Sequence, residues 1–540
     1  MDILTAATEW LDQDPDLETR SELQALIASA DLAALESRFS TRLEFGTAGL
    51  RGELGAGPNR MNQIVVAQTA LGIARFLTAN QSQYLDESGE LSVVIGYDGR
   101  INSDVFAKLS AEIFAAAGIT TRLFNQMVPT PVAAFTGRRL RSSATVVVTA
   151  SHNPPRDNGY KVYLGGKNGN SQLVPPQDAE IAEHIGKIAA NLRFGDIPRS
   201  QNFKLIGEPE IGHYVDRALE LIPQSPADRE RRAGLKIVHT SMHGVGWKFV
   251  SEIFQKSGFR VESVREQQEP NGQFPTVSFP NPEEPGSMDL AIALAAQHEA
   301  DIVLANDPDA DRLAVGVGSN TKMLTGDQVG MILAEVAASQ GAKVIANSIV
   351  SLDLSPISEH YGIKYEQTLT GFKWISKVAG INYGYEEALG YCVDPEFTPD
   401  KDGITAALLI AELASTLREQ SKSLLDLLSE MAARYGESAT GQVSIRVSDL
   451  GIISQVMHGL RANPPREILS DEVRLEDYSL RTGSQRTDAL VFQSERVKVI
   501  FRPSGTEPKL KCYLQYRGVD SANGLENLKV WAKELISTLS

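Results

Sequence analysis

The chain has 540 residues, of which 42% are hydrophobic and 22% charged, as is typical of a water-soluble globular protein with roughly three to five domains. Its formal net charge of −16 disfavours nucleic acid and acidic membranes as partners, because both attract basic proteins. The chain has only two cysteines, which argues against a disulfide scaffold. Its N-terminus is acidic and polar, unlike a signal peptide. No uncharged apolar run is long enough to predict a membrane span. We therefore expect a cytoplasmic protein, a monomer or small homo-oligomer.

The first 40 residues carry apolar side chains at helical spacing and few Gly or Pro, which predicts helices. From about residue 90 onward, short apolar runs alternate with helical stretches such as 106–117 and 330–338. This alternation predicts βαβ units and largely parallel sheets. The predicted strands are 91–96, 144–148, 234–239, 301–305, 342–346, 441–447 and 497–501.

Two segments of the chain resemble each other, 234–241 (GLKIVHTS) and 341–348 (GAKVIANS). Each is predicted to be the strand that opens an α/β domain. Such an internal repeat indicates two similar α/β domains of about 110 residues each. The last hundred or so residues are predicted to form a smaller unit.

The segment Thr149-Ala-Ser-His-Asn-Pro154 directly follows the predicted strand 144–148. Loops at the carboxyl ends of parallel strands carry the active sites of α/β folds. A serine in such a loop can accept a phosphoryl group when a base or a metal activates it, which makes Ser151 a candidate nucleophile. The same composition also suits an ordinary turn.

Three aspartates alternate in Asp307-Pro-Asp-Ala-Asp-Arg312, just after the predicted strand 301–305. Alternate side chains of an extended segment point the same way, so Asp307, Asp309 and Asp311 are expected to converge. Converging carboxylates repel one another unless a cation lies between them, and hard oxygen ligands favour Mg²⁺. Arg312 is expected to face a phosphate instead. A solvated acidic turn is the alternative.

The segment Arg502-Pro-Ser-Gly-Thr-Glu-Pro-Lys509 is a candidate phosphate site. Arg502 offers a bidentate fork, and Ser504 and Thr506 offer hydroxyls. Gly505 allows backbone N–H groups to approach a phosphate closely. A hairpin turn with incidental charge is the alternative.

A weaker candidate is the glycine-flanked pair Glu386 and Glu387. Its carboxylates could accept hydrogen bonds from sugar hydroxyls. Paired glutamates more often face solvent, so this pair indicates little when it is taken alone.

These segments, in this order, resemble the α-D-phosphohexomutase family over about residues 40–515. The resemblance implies four domains around a central cleft, three of them α/β domains of similar fold and the last a smaller α+β domain. The implied domains are 1–205 with the phosphoserine loop, 206–320 with the metal loop, 321–430 with the sugar loop, and 431–540 with the phosphate loop.

The resemblance also implies roles for individual residues. The metal site would comprise Ser151, which also carries the phosphoryl group, and Asp307, Asp309 and Asp311. Shorter matches at 45–52, 158–161 and 370–373 imply further catalytic residues, namely Arg51, Lys161 and Lys373. A lysine base would need a lowered pKa, which neighbouring cations could provide. Substrate would be bound by Arg312, Thr370, Gly371, Glu386, Ala388, Arg502, Ser504, Gly505, Thr506 and Lys509.

Within the family, the chain is most similar to the branch that includes phosphoglucomutases with phosphopentomutase activity. Ala388 stands where many relatives have serine, so one contact to a sugar hydroxyl is lost. Tyr391 stands where some relatives have histidine, which excludes proton transfer by a histidine there.

The function implied is that of a phosphoglucomutase, which interconverts glucose 1-phosphate and glucose 6-phosphate. Its cofactors would be Mg²⁺ and glucose 1,6-bisphosphate, the latter as activator and intermediate, and its partners would be small sugar phosphates. Phosphopentomutase acting on ribose 1-phosphate, phosphomannomutase and sugar-bisphosphate synthesis are related alternatives. A sugar-phosphate phosphatase and a catalytically inactive binding protein are alternatives of other classes.

Overall fold

A computed structural model describes residues 2–447, 450–503 and 509–539. Their contacts divide the chain into two compact units, which are described separately below. The first unit comprises 1–325, 381–384 and 389–421, and the second comprises 326–380, 385–388 and 422–540. No helix among the described residues is both long and apolar enough to cross a lipid bilayer.

Three helices begin the first unit, as the apolar spacing of the first 40 residues predicts. Asp16 caps α2 by accepting the N–H of Glu18, and Asp31 caps α3 by accepting the N–H of Ala34. The helices are α1 (Ile3–Leu11), α2 (Leu17–Ala28) and α3 (Leu32–Phe39).

A seven-stranded sheet follows, in the order β1-β5-β4-β2-β3-β7, with β6 paired to β5. Strands β2, β3, β4 and β7 run parallel, whereas β5 is antiparallel to β4 and to β1. The elements are β1 (Leu50–Glu53), α4 (Gln63–Ala79), β2 (Ser92–Tyr97), α5 (Ser103–Ala116), β3 (Thr120–Phe124), α6 (Thr130–Arg139), β4 (Ala144–Val148), β5 (Asp157–Leu164), β6 (Ser171–Gln172), α7 (Gln177–Asn191) and β7 (Lys204–Ile206).

The core of this part of the first unit lies between its sheet and its helices. Val93 and Ile95 of β2 and Val146 and Val148 of β4 are fully buried against the apolar side of α4 and α5. Because β2 and β4 are parallel neighbours, the loops after them leave the same edge of the sheet.

A second sheet of the first unit has the order β12-β11-β10-β8-β9. Strands β8, β9 and β10 are parallel, and β11 returns antiparallel to β10. Its elements, with the helix that closes the unit, are α8 (Glu208–Glu220), α9 (Pro226–Ala233), β8 (Lys236–Thr240), α10 (Trp247–Ser257), β9 (Arg260–Ser263), α11 (Asp289–His298), β10 (Ile302–Asn306), β11 (Leu313–Val317), β12 (Lys322–Met323) and α15 (Gly403–Glu419).

The second unit begins with a parallel pair of strands, β13 and β14, and their helices. Strand β15 lies where the chain passes between the two units, and β16 falls within the first. The elements are α12 (Gly326–Ser339), β13 (Val344–Ser348), α13 (Ser355–Tyr361), β14 (Lys364–Thr368), α14 (Phe372–Ile375), β15 (Tyr383–Glu386) and β16 (Gly390–Cys392).

The C-terminal part of the second unit is an antiparallel sheet in the order β17-β23-β22-β21-β20. Buried Leu528, Ala532 and Ile536 of α18 belong to the core that it shares with this sheet. The elements are α16 (Leu424–Tyr435), β17 (Ser438–Arg446), α17 (Leu450–Ala462), β18 (Glu467–Ile468), β19 (Asp471–Glu472), β20 (Arg474–Asp477), β21 (Leu490–Gln493), β22 (Val497–Pro503), β23 (Lys509–Arg517) and α18 (Ser521–Leu539).

Candidate active site

The loop after β4 holds Ser151 in an unusual backbone conformation. Its φ is +52°, in the left-handed region that residues other than glycine rarely adopt. The Ser151 N–H donates to Thr149 Oγ1 at 2.8 Å, and the residue is 1% exposed. The loop is therefore a built structure that presents one buried hydroxyl at the carboxyl edge of the sheet.

The three aspartates connect β10 to its antiparallel neighbour β11. They converge as predicted, with one carboxylate oxygen of each lying within 4.8 Å of the others, but the reason we gave for this convergence is wrong. The segment is a turn and not extended, since Ala310 has a φ of +55°. The Arg312 N–H donates to Asp307 Oδ1 at 3.0 Å and helps to close this turn.

The two loops meet at Ser151 and Asp307. Ser151 Oγ donates to Asp307 Oδ2 at 2.8 Å and lies 3.2 Å from His152 Nδ1. Burial, together with repulsion by Asp309 and Asp311, raises the pKa of Asp307 well above its ordinary value. The serine hydroxyl thus contacts the one carboxylate of the three that most readily holds a proton.

Lysine side chains balance the other two carboxylates. Lys161 of β5 donates from Nζ to Asp309 Oδ2 at 2.6 Å and to Asp311 Oδ2 at 2.8 Å. Lys401 Nζ lies 3.4 Å from Asp311 Oδ2. Burial alone would raise the pKa of Asp311, but Lys161, Lys401 and Arg312 outweigh it and lower the pKa.

The lowered pKa that a base at Lys161 would need is not found. Burial lowers the pKa of this lysine, but attraction to Asp309 and Asp311 is stronger and raises it above its ordinary value. The carboxylates, and not neighbouring cations, decide the charge of Lys161 because they are its direct hydrogen-bond partners.

Two arginines add positive charge around the serine. Arg51 lies on β1 opposite Gly159 of β5, and Arg312 Nε lies 4.0 Å from Asp307 Oδ2. Burial, then Arg312 and Arg51, lower the pKa of His152 well below its ordinary value, so its ring is neutral near pH 7. Since the protonated form is disfavoured, the ring acts beside Ser151 as a neutral hydrogen-bond partner, whose role as donor or acceptor depends on its tautomer.

The carboxylate cluster fits a hard divalent cation such as Mg²⁺. Among the described residues, Asp309 Oδ1 and Asp311 Oδ1 are buried and have no hydrogen-bond partner. Buried carboxylate oxygens without donors are costly unless a cation binds them, and oxygen ligands suit Mg²⁺. Ser151 lies within hydrogen-bond distance of this cluster through Asp307.

Sequence reasoning missed some residues of this cluster. Thr130, at the start of α6, donates from Oγ1 to Asp309 Oδ2 at 2.6 Å and from its N–H to the Asp309 carbonyl at 3.0 Å. Nothing in the sequence around Thr130 indicates this contact. Lys401 could have been found from the charged run Asp400-Lys401-Asp402, whose burial is unusual for such side chains.

The remaining predicted residues lie in the second unit. Thr370 Oγ1 accepts from Ser348 Oγ at 3.3 Å, and Gly371, with a φ of +117°, precedes α14. Lys373 Nζ lies 5.7 Å from the centre of the Trp374 ring.

The glutamate pair of the second unit differs from a solvated pair. The Ser351 hydroxyl donates to Glu387 Oε2 at 3.0 Å. Burial, together with Glu386 and Asp327, raises the pKa of Glu387 to about 8. Glu386 and Ala388 flank this buried carboxyl.

The phosphate loop is described only at its edges. Arg502 lies on β22 beside Lys511 of β23, and Lys509 begins β23. The predicted contacts of Ser504, Gly505 and Thr506 lie outside the described residues.

Three family models match the chain in order. Phosphoglucomutase/phosphomannomutase α/β/α domain I matches residues 42–192, domain II matches 212–320 and domain III matches 325–435. The chain belongs to the phosphoglucomutase/phosphomannomutase family. The predicted family, the α/β fold with a C-terminal α+β part, and the enzyme class are confirmed: this mutase is an isomerase that transfers a phosphoryl group within its substrate.

Individual relatives agree with the family models. A probable phosphomannomutase of Haemophilus influenzae is 45% identical over 469 residues, which cover 85% of this mutase and 94% of that protein. Phosphopentomutase of Homo sapiens is 33% identical over 590 residues, covering 98% and 94%. The solved structure of Paramecium parafusin, a phosphoglucomutase, covers 92% of this chain and 96% of its own with a TM-score of 0.71 at 18% identity, a likeness of fold.

Proposed function

We propose that this mutase is a phosphoglucomutase in which Ser151 carries the phosphoryl group. The observation that carries the proposal is the buried contact of 2.8 Å between Ser151 Oγ and Asp307 Oδ2, inside a cluster of three carboxylates. A buried serine beside such a cluster and a neutral histidine is suited to group transfer, and a surface turn would show none of these features.

In the proposed cycle, phosphorylated Ser151 gives its phosphoryl group to the 6-hydroxyl of glucose 1-phosphate. The product, glucose 1,6-bisphosphate, turns over, and its 1-phosphoryl group passes to the Ser151 oxygen, which leaves glucose 6-phosphate. The P–O bond to one oxygen breaks as the bond to the other forms, so the enzyme ends each cycle phosphorylated. Added glucose 1,6-bisphosphate would activate enzyme that lacks the phosphoryl group.

Side chains of the first unit supply charge and hydrogen bonds in this cycle. Arg51 and Arg312 are placed to attract the phosphoryl oxygens, and the neutral His152, whose Nδ1 lies 3.2 Å from Ser151 Oγ, is placed to form a hydrogen bond with this oxygen. Asp307, Asp309 and Asp311 would hold Mg²⁺, which would neutralise charge on the transferred group. Lys161, which donates from Nζ to Asp309 and Asp311, is placed to supply positive charge beside this cluster.

The substrate must also be held at its second phosphate and at its sugar. We assign the distal phosphate to Arg502, Lys509 and the residues between them. Glu386 is assigned to sugar hydroxyls, and Thr370, Gly371 and Lys373 to the neighbouring substrate contacts. Their support is the order and identity of the motifs that the family resemblance matches.

A pentose substrate is the second candidate. The human relative named phosphopentomutase covers 98% of this chain, and Ala388 lacks the hydroxyl that a serine would offer to a hexose. Comparing kcat/KM for glucose 1-phosphate, mannose 1-phosphate and ribose 1-phosphate ranks the candidates. A higher value for the pentose or for mannose would contradict the glucose assignment.

One incubation separates the proposed function from the other classes. The enzyme is mixed with glucose 1-phosphate, Mg²⁺ and a trace of glucose 1,6-bisphosphate. We expect glucose 6-phosphate as the product. Release of inorganic phosphate would indicate a phosphatase, and no product would indicate a binding protein; either result would contradict the proposal.

A further inference from the structure

Arg100 forms four hydrogen bonds with the backbone of the serine loop and the start of β5. Its Nη1 donates to the carbonyls of Pro154 and Asp157, each at 2.9 Å. Its Nη2 donates to the carbonyls of Ser151 and Asn153, each at 2.6 Å. All four acceptors belong to the loop after β4 or to the first residue of β5, so the whole guanidinium edge serves this one loop.

The sheet order explains why an arginine so far away in the sequence reaches this loop. Arg100 follows β2, and β2 is the parallel neighbour of β4, so both loops leave the same edge. Asp98 Oδ1 accepts the Arg100 N–H at 3.0 Å, and Asp98 Oδ2 lies 3.7 Å from Nε. Phe274 places its ring 5.0 Å from the guanidinium carbon. The arginine side chain is 1% exposed and held on several sides.

The contact to the Ser151 carbonyl coincides with the strained residue. Ser151 has its φ at +52°, and this conformation persists only where the surroundings hold it. Without Arg100 the buried Ser151 carbonyl would lose its donor, and the part-buried carbonyls of residues 153, 154 and 157 would each lose a hydrogen bond, so the loop would rearrange towards water or other partners. Such a rearrangement would move Ser151 Oγ away from Asp307.

We propose that Arg100 is a positioning residue that holds the Ser151 backbone in the left-handed conformation from which its oxygen reaches the aspartate cluster. The inference rests on the proposed role of Ser151 as phosphoryl carrier. Arg100 touches no reacting atom, and it acts through the carbonyls of residues 151, 153, 154 and 157. Lysine cannot replace it, because an ammonium has three donors and no planar fork.

Arg232 offers a matched control in the same unit. It is 0% exposed and, like Arg100, donates to backbone carbonyls, those of Ser257 at 3.1 Å and Pro223 at 2.5 Å. Its carboxylate partner is Glu412 on α15, and none of these groups belongs to the serine or aspartate loops. Arg232→Lys therefore measures how much replacing a buried arginine lowers stability and activity when the arginine does not contact the serine loop.

The test compares Arg100→Lys, Arg232→Lys and the wild type as full-length proteins. Each is incubated with glucose 1,6-bisphosphate and Mg²⁺, and the rate of Ser151 phosphorylation is followed by intact-protein mass spectrometry. Melting temperature, kcat and KM for glucose 1-phosphate are measured alongside. For Arg100→Lys we expect phosphorylation and kcat to fall about 10- to 100-fold, because small displacements of a nucleophile cost rates of this size, while KM changes less than about threefold.

The Arg232→Lys protein is expected to have a lower melting temperature than the wild type. Its rate of Ser151 phosphorylation should stay within about twofold of the wild-type rate. Wild-type phosphorylation of Arg100→Lys, or an equal slowing of both variants, would overturn the inference. If Arg100→Lys does not fold, Asp98→Asn serves instead, because it keeps the shape of the side chain and removes the charge facing Nε. A smaller slowing is expected for that variant, and an unchanged rate would also overturn the inference.

Failure of the proposed function would look different. Wild-type enzyme that takes up no phosphate, or a Ser151→Ala variant that still does, would contradict Ser151 as the carrier without reference to either arginine. The role of Arg100 would then fall together with the proposed function. Wild-type enzyme phosphorylated at Ser151 together with a normal Arg100→Lys enzyme would reject the role of Arg100 alone.

Discussion

The hydroxyl of Ser151 is hydrogen-bonded to the carboxyl group of Asp307, and the pKa of Asp307 depends on the other aspartates of the turn. Asp309 is tied to Thr130 and Lys161, and Asp311 to Lys161 and Lys401. Because these contacts keep Asp309 and Asp311 ionised, their repulsion acts on Asp307 and raises its pKa, and the Ser151 hydroxyl donates to this carboxyl group.

The first prediction at this scale concerns Asp309→Asn. The amide keeps the size of the side chain and can still accept from Thr130, but it removes one anionic ligand from the cluster. We expect Mg²⁺ affinity to fall more than about tenfold and kcat to fall of the order of 100-fold. Calorimetric titration with Mg²⁺ measures the first without reference to activity. Unchanged Mg²⁺ affinity would show that the cation is held elsewhere.

The second residue-scale prediction concerns pH and Glu387. Its pKa is raised from an ordinary 4.5 to about 8, so between these values the folded protein holds a proton that the unfolded chain has released. Stability should therefore fall as pH rises through this window. Glu387→Gln should flatten this dependence and be more stable than the wild type at about pH 8, as judged from urea midpoints at about pH 5 and about pH 8. Parallel pH profiles for the two proteins would contradict the raised pKa.

Local sequence predicted that the three aspartates converge, and it singled out Ser151 as the candidate nucleophile, because both stand in short segments with a distinctive composition. The catalytic role of Ser151 stays a prediction. Thr130 and Arg100 reach the same place through the order of strands in the sheets, and no local pattern carries that order. Lys401 differs, because the charged run Asp400-Lys401-Asp402 could have indicated it. The raised pKa of Lys161 was likewise not predictable, since it depends on which charges finally lie beside it.

At the scale of elements, the close approach of α4 and α7 offers a test of packing. A Cβ at Gly72 of α4 would meet Ile185 Cγ1 at 2.5 Å and the Ile185 backbone N at 3.1 Å. Gly72→Ala gains about 1 kcal/mol of helix propensity but overpacks the contact at about 1–3 kcal/mol. We expect net destabilisation in denaturant unfolding.

Gly186 on α7 is the control for this prediction. It lies in a helix interior, and among the described residues no atom beyond its chain neighbours and its own helix backbone lies within 4 Å of the Cβ that alanine would add. Gly186→Ala should stabilise the protein by about 0.5–1 kcal/mol. Stabilisation by both substitutions would show that the two helices separate without cost.

The loop that joins β22 to β23 carries the prediction for the distal phosphate. Truncating one partner of a desolvated arginine–phosphate pair costs about 2–5 kcal/mol. Arg502→Ala should therefore lower kcat/KM roughly 30- to several-thousand-fold. Arg496→Ala, which removes an exposed arginine paired with Asp471, is the control and should change kcat/KM little. A near-normal Arg502→Ala enzyme would assign the distal phosphate to another cluster, such as that around Lys509.

The positions of strands were predicted well where the apolar pattern was strong, but the direction of individual strands was not. The strand 144–148 has the bounds that its apolar run indicates, and the 234–241 and 341–348 repeats both contain strands. The largely parallel sheets were expected from alternating strands and helices. However, β5 and β11 return antiparallel, and these two strands adjoin the reacting loops. The length of the connection decides whether two neighbouring strands run parallel or antiparallel, and the apolar pattern of a strand does not indicate its direction.

At the scale of the whole molecule, a chain with a net charge of −16 must concentrate cations where an anionic substrate binds. The first unit does this with Arg51, Lys161, Arg312 and Lys401 around three buried carboxylates. The division into four domains at residues 205, 320 and 430 stays a prediction.

The most direct test of the central claim is the phosphorylation of Ser151. Purified wild-type enzyme and Ser151→Ala are incubated with glucose 1,6-bisphosphate and Mg²⁺, and their intact masses and tryptic peptides are measured. The wild type should gain one phosphate, located on Ser151. It should lose this phosphate when excess glucose 1-phosphate is added without fresh bisphosphate and the sugar bisphosphate that forms is removed by dialysis. The variant should gain none and should not turn over. A phosphate on another residue, or full mutase activity in Ser151→Ala, would contradict the account.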